Sequence, residues 1–365
     1  MPVPLNARQG PESGKIDELA RIFASKLLEW NSTENTRQMP WKGEKDPYRI
    51  WLSEVILQQT KVEQGLKYYE NFTNVFPDVK ALATAPEASV FKQWEGLGYY
   101  SRCRNLIHTA KHIAGELNGR FPDTYESILS LKGVGSYTAA AISSFAYNLP
   151  HAVLDGNVYR VLSRIFDIDV PIDSAAGKKQ FSALAQSVLP EGRAGEYNQA
   201  IMDFGAVVCK PSPNCSSCFF NAHCKAFRAG HQDLLPIKEK KIKKKERWFN
   251  YLVLTCKDRI LVRQRKARDI WQDLFEFLLL ETGKVLERQE LLDVFDRQYG
   301  KFNYRAGQTY AVSQQLTHQS INFQFMQLEL ESEKEIAGFW WIKKEEMADY
   351  AFPRTLQQFI ATGLK

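Results

Sequence analysis

The strongest constraint on the fold is a change of period along the chain. Up to residue 208 apolar side chains recur every three or four positions, and nothing before residue 225 alternates convincingly as a strand would. Ile16, Leu19, Phe23, Leu27 and Trp30 mark one side of a first helix, and Asp46 followed by Pro47 signposts the next as N-cap and first residue. Helical spacing continues over 62–72, 87–95, 101–118, 124–131, 136–147, 157–166, 176–188 and 195–208. From Trp248 the pattern turns to strands. Phe249–Cys256 and Arg259–Gln264 flank Lys257-Asp258 as a β-hairpin. A helix over 285–298, strands near 308–316 and 320–331, a closing strand at Trp340-Trp341-Ile342 and a helix near 354–362 follow. For 365 residues the prior is two domains. The expected architecture is multidomain: an all-α domain over 15–230 and an α+β domain over 248–365. Residues 1–14 read as a flexible lead-in and 231–247 as a basic linker.

Within the helical part, Leu131-Lys-Gly-Val-Gly-Ser-Tyr-Thr-Ala places Gly133 and Gly135 in a very short turn between two helices. Glycine there permits positive φ and close approach of a ligand to the backbone. The unpaired N–H groups opening the second helix favour an anion such as a phosphate, as in a helix-hairpin-helix that grips nucleic acid. A plain αα-corner packed through its glycines accounts for the same residues. The net charge of +6 suits a partner carrying phosphates, although many soluble enzymes are as basic. With 44% hydrophobic and 12% aromatic residues the chain can bury real cores, which excludes a disordered protein. No run is long or apolar enough to span a bilayer and Met1–Arg8 has no signal-peptide core, so a cytosolic protein is expected.

Six cysteines are present. Cys103 and Cys256 are isolated and fit core positions, whereas Cys209, Cys215, Cys218 and Cys224 form a C-x5-C-x2-C-x5-C run. Four thiols this close in a cytosolic chain point to a metal centre rather than disulfides. Zinc and a cubane iron–sulfur cluster both accept four thiolates, and the single C-x2-C with equal arms favours the cubane.

Two carboxylates stand out. Glu54 lies amid Trp51, Leu52, Val55, Ile56 and Leu57, where apolar surroundings would raise its pKa toward that of a general acid. A solvent-facing or lysine-paired glutamate is the plainer alternative. Asp155 precedes Gly156-Asn157 at the mouth of a helix, whose free N–H groups would favour its charged form; it also reads as a simple N-cap. One acid tuned up and one tuned down is an arrangement suited to breaking a glycosidic bond.

Pro40-Trp41, Asp46-Pro47-Tyr48, Ser53-Glu54-Val55, Leu57-Gln58-Gln59-Thr60, Gly96-Leu97-Gly98-Tyr99-Tyr100, Gly133-Val134-Gly135, Leu154-Asp155-Gly156-Asn157-Val158, Arg160-Val161 and the cysteine run together resemble the adenine DNA glycosylase (MutY) family, relatives of endonuclease III. The resemblance implies a helix-hairpin-helix glycosylase domain with a [4Fe–4S] cluster on Cys209, Cys215, Cys218 and Cys224. It implies a cytoplasmic, nucleoid-associated monomer that excises adenine opposite 8-oxoguanine or guanine in duplex DNA. Glu54 matches the acid that protonates the leaving adenine, Asp155 the aspartate that stabilises the sugar cation, and Asn157 its positioning neighbour. Tyr137 stands where bifunctional relatives place a Schiff-base lysine, and a phenol cannot form that imine. Leu57 and Gln199 resemble residues of the adenine pocket and Trp41 its wall, while Lys42 replaces a common arginine. Gln59 and Tyr99 resemble side chains inserted beside the orphaned base. The first gap in the cysteine run is five residues rather than the commoner six.

The C-terminal part resembles the Nudix-like domain that this family uses to detect 8-oxoguanine. It lacks the Glu-rich magnesium signature of a Nudix hydrolase, so binding without hydrolysis is expected. Leu316-Thr317-His318 occupies the place of a family Phe-Ser-His loop, which assigns Thr317 and His318 to the oxidised guanine. Two other readings compete with the adenine glycosylase: an endonuclease III-like pyrimidine glycosylase and lyase, and a non-catalytic DNA-binding protein with a cluster.

Overall fold

The computed structural model describes residues 13–239 and 244–364. Residues 1–12 of the expected lead-in and 240–243 of the expected linker lie outside the described residues. The chain forms two compact units: residues through Lys80 with Thr109–Lys240, and Ala81–His108 with Lys241–Lys365.

Before residue 230 the structure is helical. The elements are α1 (Ser13–Thr33), α2 (Pro47–Leu57), α3 (Val62–Val75), α4 (Val79–Thr84), α5 (Glu87–Trp94), α6 (Tyr100–Gly115), α7 (Tyr125–Leu129), α8 (Ser136–Tyr147), α9 (Gly156–Phe166), α10 (Ala175–Ser187), α11 (Ala194–Val207) and α12 (Lys225–Ala229). The short α4 and α12 are additions to the sequence reading; five or six residues carry too little period to be seen. Side chains decide where the helices start. Asp46 accepts from the Tyr48 N–H at 2.9 Å, Thr124 from Ser127, Asp155 from Val158 and Ser174 from Gly177. In the first unit, Phe23 and Trp30 of α1 meet Phe204 of α11 and Phe219 and Phe220 of the cysteine loop, with Phe23 and Phe220 edge to face at 5.1 Å. This aromatic cluster ties the cysteine loop to the core.

The α+β part begins at Lys245, so Lys245, Glu246 and Arg247 belong to a strand. Its elements are β1 (Lys245–Cys256), β2 (Arg259–Gln264), β3 (Phe275–Glu276), β4 (Leu278–Thr282), α13 (Arg288–Tyr299), β5 (Tyr304–Gln315), β6 (Gln319–Leu330), β7 (Trp340–Lys343) and α14 (Arg354–Gly363). The hairpin at Lys257-Asp258 is present, with Cys256 opposite Arg259. β1 also pairs with β6 in parallel and with β4 antiparallel, β5 pairs with β6, and β7 closes onto β2. β3 and β4 were hidden in the sequence because Leu278-Leu279-Leu280 runs apolar without alternating. Period-two facing explains the packing. Phe249, Tyr251, Phe323 and Phe325 face α14 with its Leu356 and Phe359, while Leu252, Leu254, Met326 and Leu328 face Leu291, Leu292 and Phe295 of α13. Within this second unit, segment 81–108 is bonded to the region that follows the linker. Lys92 Nζ reaches the Tyr350 carbonyl at 3.1 Å, and Glu95 accepts from the Phe352 N–H at 2.8 Å. No described helix is long and apolar enough to cross a membrane.

Candidate active site

α2 buries nearly its whole middle, and Glu54 goes in with its neighbours: it is 6% exposed. α8 packs against α2 and brings Tyr137, in its first turn, to the carboxyl. The phenol donates a hydrogen bond to Glu54. Burial lifts the Glu54 pKa to about 7; the Tyr137 bond opposes the rise and the charge of Asp155 adds to it. The acid therefore keeps its proton into the neutral range, as a proton donor should.

Asp155 caps α9 as expected, with Oδ1 accepting from the Val158 N–H at 2.7 Å and Oδ2 from the Asn157 amide at 3.0 Å. Its pKa is nevertheless raised, which corrects the expectation of a carboxyl tuned down. Burial outweighs the hydrogen bonds to Val158 and Asn157 that favour the charge. The two acids differ in their donors rather than in the sign of their shifts: Asp155 is held by two N–H groups, Glu54 by a phenol.

Behind Asn157 stands Arg160, a residue the sequence reading placed in a motif without a role. Its guanidinium donates to Asn157 Oδ1 at 2.9 Å and to the carbonyls of Gly205 and Cys209, both at 2.8 Å. Gly205 has to be small, because a Cβ there would lie 2.7 Å from that of Asn157. Arg160 thus fixes Asn157, which fixes Asp155, and links both to the first cysteine.

Glu54, Tyr137, Asp155 and Asn157 line one cavity of about 570 Å³ in the first unit, together with Trp41, Leu57, Gln59 and Gln199. The size suits a nucleobase with part of its sugar. One organising residue went unnoticed in the sequence: Asp203, fully buried on α11. It accepts from Arg37 at 2.7 Å, Asn35 at 2.9 Å and Gln199 at 3.0 Å, and pairs with Lys42 at 3.1 Å. It anchors three cavity residues at once. The available signal was an aspartate one turn after Gln199, inside an apolar run.

The sequence matches the HhH-GPD superfamily of base excision DNA repair proteins over residues 52–190 and the NUDIX domain over 250–362. It is 36% identical over 260 residues to the adenine DNA glycosylase of Buchnera aphidicola subsp. Baizongia pistaciae, spanning 70% of this chain and 73% of that one. The chain belongs to the adenine DNA glycosylase family. The human adenine DNA glycosylase is 39% identical over 223 residues, 58% of this chain and 41% of its own. Among solved structures, a thermostable thymine-DNA glycosylase matches with a TM-score of 0.54 at 28% identity, over 58% of this chain and 98% of that one. Endonuclease III trapped in a covalent intermediate with DNA shares the fold, with a TM-score of 0.51 at 18% identity over 59% and 98%. The chain is thus a DNA N-glycosylase with the expected helix-hairpin-helix fold and Nudix domain.

The remaining sites of this adenine DNA glycosylase family member are distributed. In the turn before α8, Gly133 has a φ of +82° and needs to be glycine; Gly135 is the extended N-cap, with open space around it. Gln59 and Tyr99 are exposed and both left-handed, at φ +57° and +45°. Such backbone costs of order 1 kcal/mol or more for a non-glycine residue and clusters at functional sites. Gln59 lines the cavity. Tyr99 lies in the second unit, where its hydroxyl is hydrogen-bonded to Thr317. Thr317 and His318 form the exposed turn between β5 and β6, closed by the Leu316 N–H to the Gln319 carbonyl at 2.7 Å. Glu287 and Glu290 at the start of α13 are used as a capping box.

Cys209, Cys215, Cys218 and Cys224 are free thiols, and burial pushes those of Cys215, Cys218 and Cys224 up. Among the described residues, no three His, Cys, Asp or Glu side chains group closely enough to hold one metal ion. Arg164, 3% exposed, braces the loop: it meets Cys209 Sγ at 3.6 Å and donates to the carbonyls of Lys210, Pro211 and Leu235.

Proposed function

We propose that this glycosylase removes adenine opposite 8-oxoguanine or guanine from duplex DNA by a monofunctional route. Adenine swings out of the helix into the cavity, with Trp41, Leu57 and Gln199 around it. The Glu54 proton passes to N7 as the C1′–N9 bond breaks and its electron pair leaves with the base. Asp155, kept in place by Val158 and Asn157, faces the cationic sugar. Water adds at C1′ and gives up a proton to Glu54, leaving an abasic site.

The observation that carries this reading is the convergence of Glu54, Tyr137 and Asp155 on one cavity. The lysines of the cavity support the monofunctional route. Lys42 is tied to Asp203 and to the Arg37 carbonyl at 3.0 Å, and Lys45 to the Phe145 carbonyl at 2.8 Å, so neither amine is poised over the site. Thr317, with Tyr99 against it, supports recognition of the opposing base in the second unit.

Cys209, Cys215, Cys218 and Cys224 would hold a [4Fe–4S] cluster; the all-thiol set and the buried Arg164 guanidinium fit a centre of net negative charge. Bound there, the cluster supplies a crosslink for the 209–224 loop. Iron analysis giving about four irons per chain supports it, and one zinc per chain contradicts it.

The test of the activity is product analysis under single turnover on an A·8-oxoguanine duplex, beside A·G, A·C and thymine-glycol duplexes. Adenine release without a borohydride-trapped adduct is expected. Efficient trapping, or release of the oxidised pyrimidine, points instead to the endonuclease III-like chemistry.

A further inference from the structure

We propose that Arg102 is the positioning residue that locks Tyr99 into the orientation in which it enters the duplex. The proposal rests on the reading of Tyr99 as a side chain inserted beside the orphaned base. The turn from Gly96 to Tyr99 has an unusual backbone: Gly96, Gly98 and Tyr99 have φ of +87°, +76° and +45°. A bulky aromatic residue keeps such a conformation only if its surroundings impose it.

Hydrogen bonds and ring contacts from Trp94, Tyr100 and Arg102 impose it. The Trp94 indole N–H donates to the Gly98 carbonyl at 3.0 Å, and the Gly96 N–H to the Tyr100 hydroxyl at 3.1 Å. The Arg102 N–H closes onto the Tyr99 carbonyl at 2.8 Å. Its guanidinium then lies 5.2 Å from the Trp94 ring centre and 5.4 Å from that of Tyr99, and Nη2 is 3.4 Å from the carbonyls of Leu97 and Gly98. These two hydrogen bonds are long, so the cation–π contacts carry much of the interaction.

The exposures separate anchor from tool. Arg102 is 9% exposed and Tyr99 40%. A buried cation lies over an exposed ring whose hydroxyl meets Thr317. A residue that pries bases apart works against their stacking, and a ring free to swing would be pushed aside instead. Arg102 removes that freedom before DNA arrives. A lysine is a poor substitute, because a compact ammonium on a flexible stem lacks the fixed fork of donors that meets both rings and the Leu97 and Gly98 carbonyls at once.

The test is a double-mutant cycle with single-turnover adenine release from an A·8-oxoguanine duplex. The second readout is the fluorescence of a 2-aminopurine placed beside the orphaned base, which reports unstacking. Arg102→Met and Tyr99→Leu are each expected to slow release about tenfold and to reduce the fluorescence rise, and the double variant to be no slower than Tyr99→Leu alone. Arg102→Lys should behave as Arg102→Met, with an unchanged melting temperature; it carries the cycle if Arg102→Met does not fold. Losses that multiply in the double variant, or wild-type fluorescence and rate in Arg102→Lys, overturn the role given to Arg102. Wild-type release by Tyr99→Leu overturns the underlying reading of Tyr99, and this proposal with it.

Discussion

Each unit of the molecule buries a glutamate that receives a tyrosine hydroxyl, and the two are treated in opposite ways. Glu276, 1% exposed, accepts from Tyr251 at 3.1 Å and is also held by Arg263 and Arg265, each at 2.8 Å. The same group of charges continues through Asp269 to Arg247 and Glu281. Within it Asp269 shows the result: burial would raise its pKa, but the bonds from Arg247 and Arg265 hold it down to about 2. Glu54 is bonded by Tyr137 alone among these donors, and its nearest influential charge is another carboxylate. The lesson is that burial does not by itself make a catalytic acid. A buried acid becomes a proton donor when the fold withholds the cation that would fix its charge, and a structural element when the fold supplies it.

This comparison can be broken by swapping outcomes between the two residues. Glu54→Gln should lower single-turnover adenine release on the order of 10³-fold, the range of a lost general acid, with DNA binding retained. An undiminished rate removes Glu54 from the chemistry. Glu276→Gln should cost about 3 kcal/mol of stability by denaturant unfolding, because it leaves the buried Arg265 guanidinium short of a partner, while the folded enzyme keeps its rate.

Glu54→Gln should shift stability the other way. Its folded pKa of about 7 exceeds the ordinary 4.5, so ionised Glu54 costs the fold up to roughly 3 kcal/mol. The glutamine variant should gain most above pH 7 and lose that advantage as pH falls toward 4.5. A loss of stability in both variants at pH 8 would erase the distinction.

Smaller effects sharpen it. Arg160→Met should slow release about tenfold, the equivalent of one charge-assisted hydrogen bond to Asn157, without shifting the alkaline limb of the pH profile. Tyr137→Phe should move that limb upward by up to about one pH unit. The phenol favours ionised Glu54, so removing it raises the acid's pKa further, as a rate profile across pH 6 to 9 on the order of half-unit steps would resolve.

Much of this was legible in the sequence, for particular reasons. Asp46-Pro47, Asp155 and the helical spacing around them are local signals, and the structure honours them within a residue or two. Glu54 was legible because its apolar neighbours are adjacent on the same helix. The Arg247 network was hidden, since Arg247 looks like the end of a basic connector until β1 and β4 place it beside Glu281. Asp203 was hidden in the same way: its partners Asn35, Arg37 and Lys42 come from more than 160 positions away along the chain. The sign of the Asp155 shift was missed because a cap is visible in sequence and the depth of burial is not.

The most direct measurement is the titration of the Glu54 carboxyl carbon by NMR in protein carrying ¹³C-labelled glutamate, with Glu54→Gln to assign the resonance. A midpoint close to 7, absent from the glutamine variant, is the predicted result. A midpoint near 4.5 would mean that the carboxyl is ionised throughout the working range, and the proposed proton donor would have no proton to give.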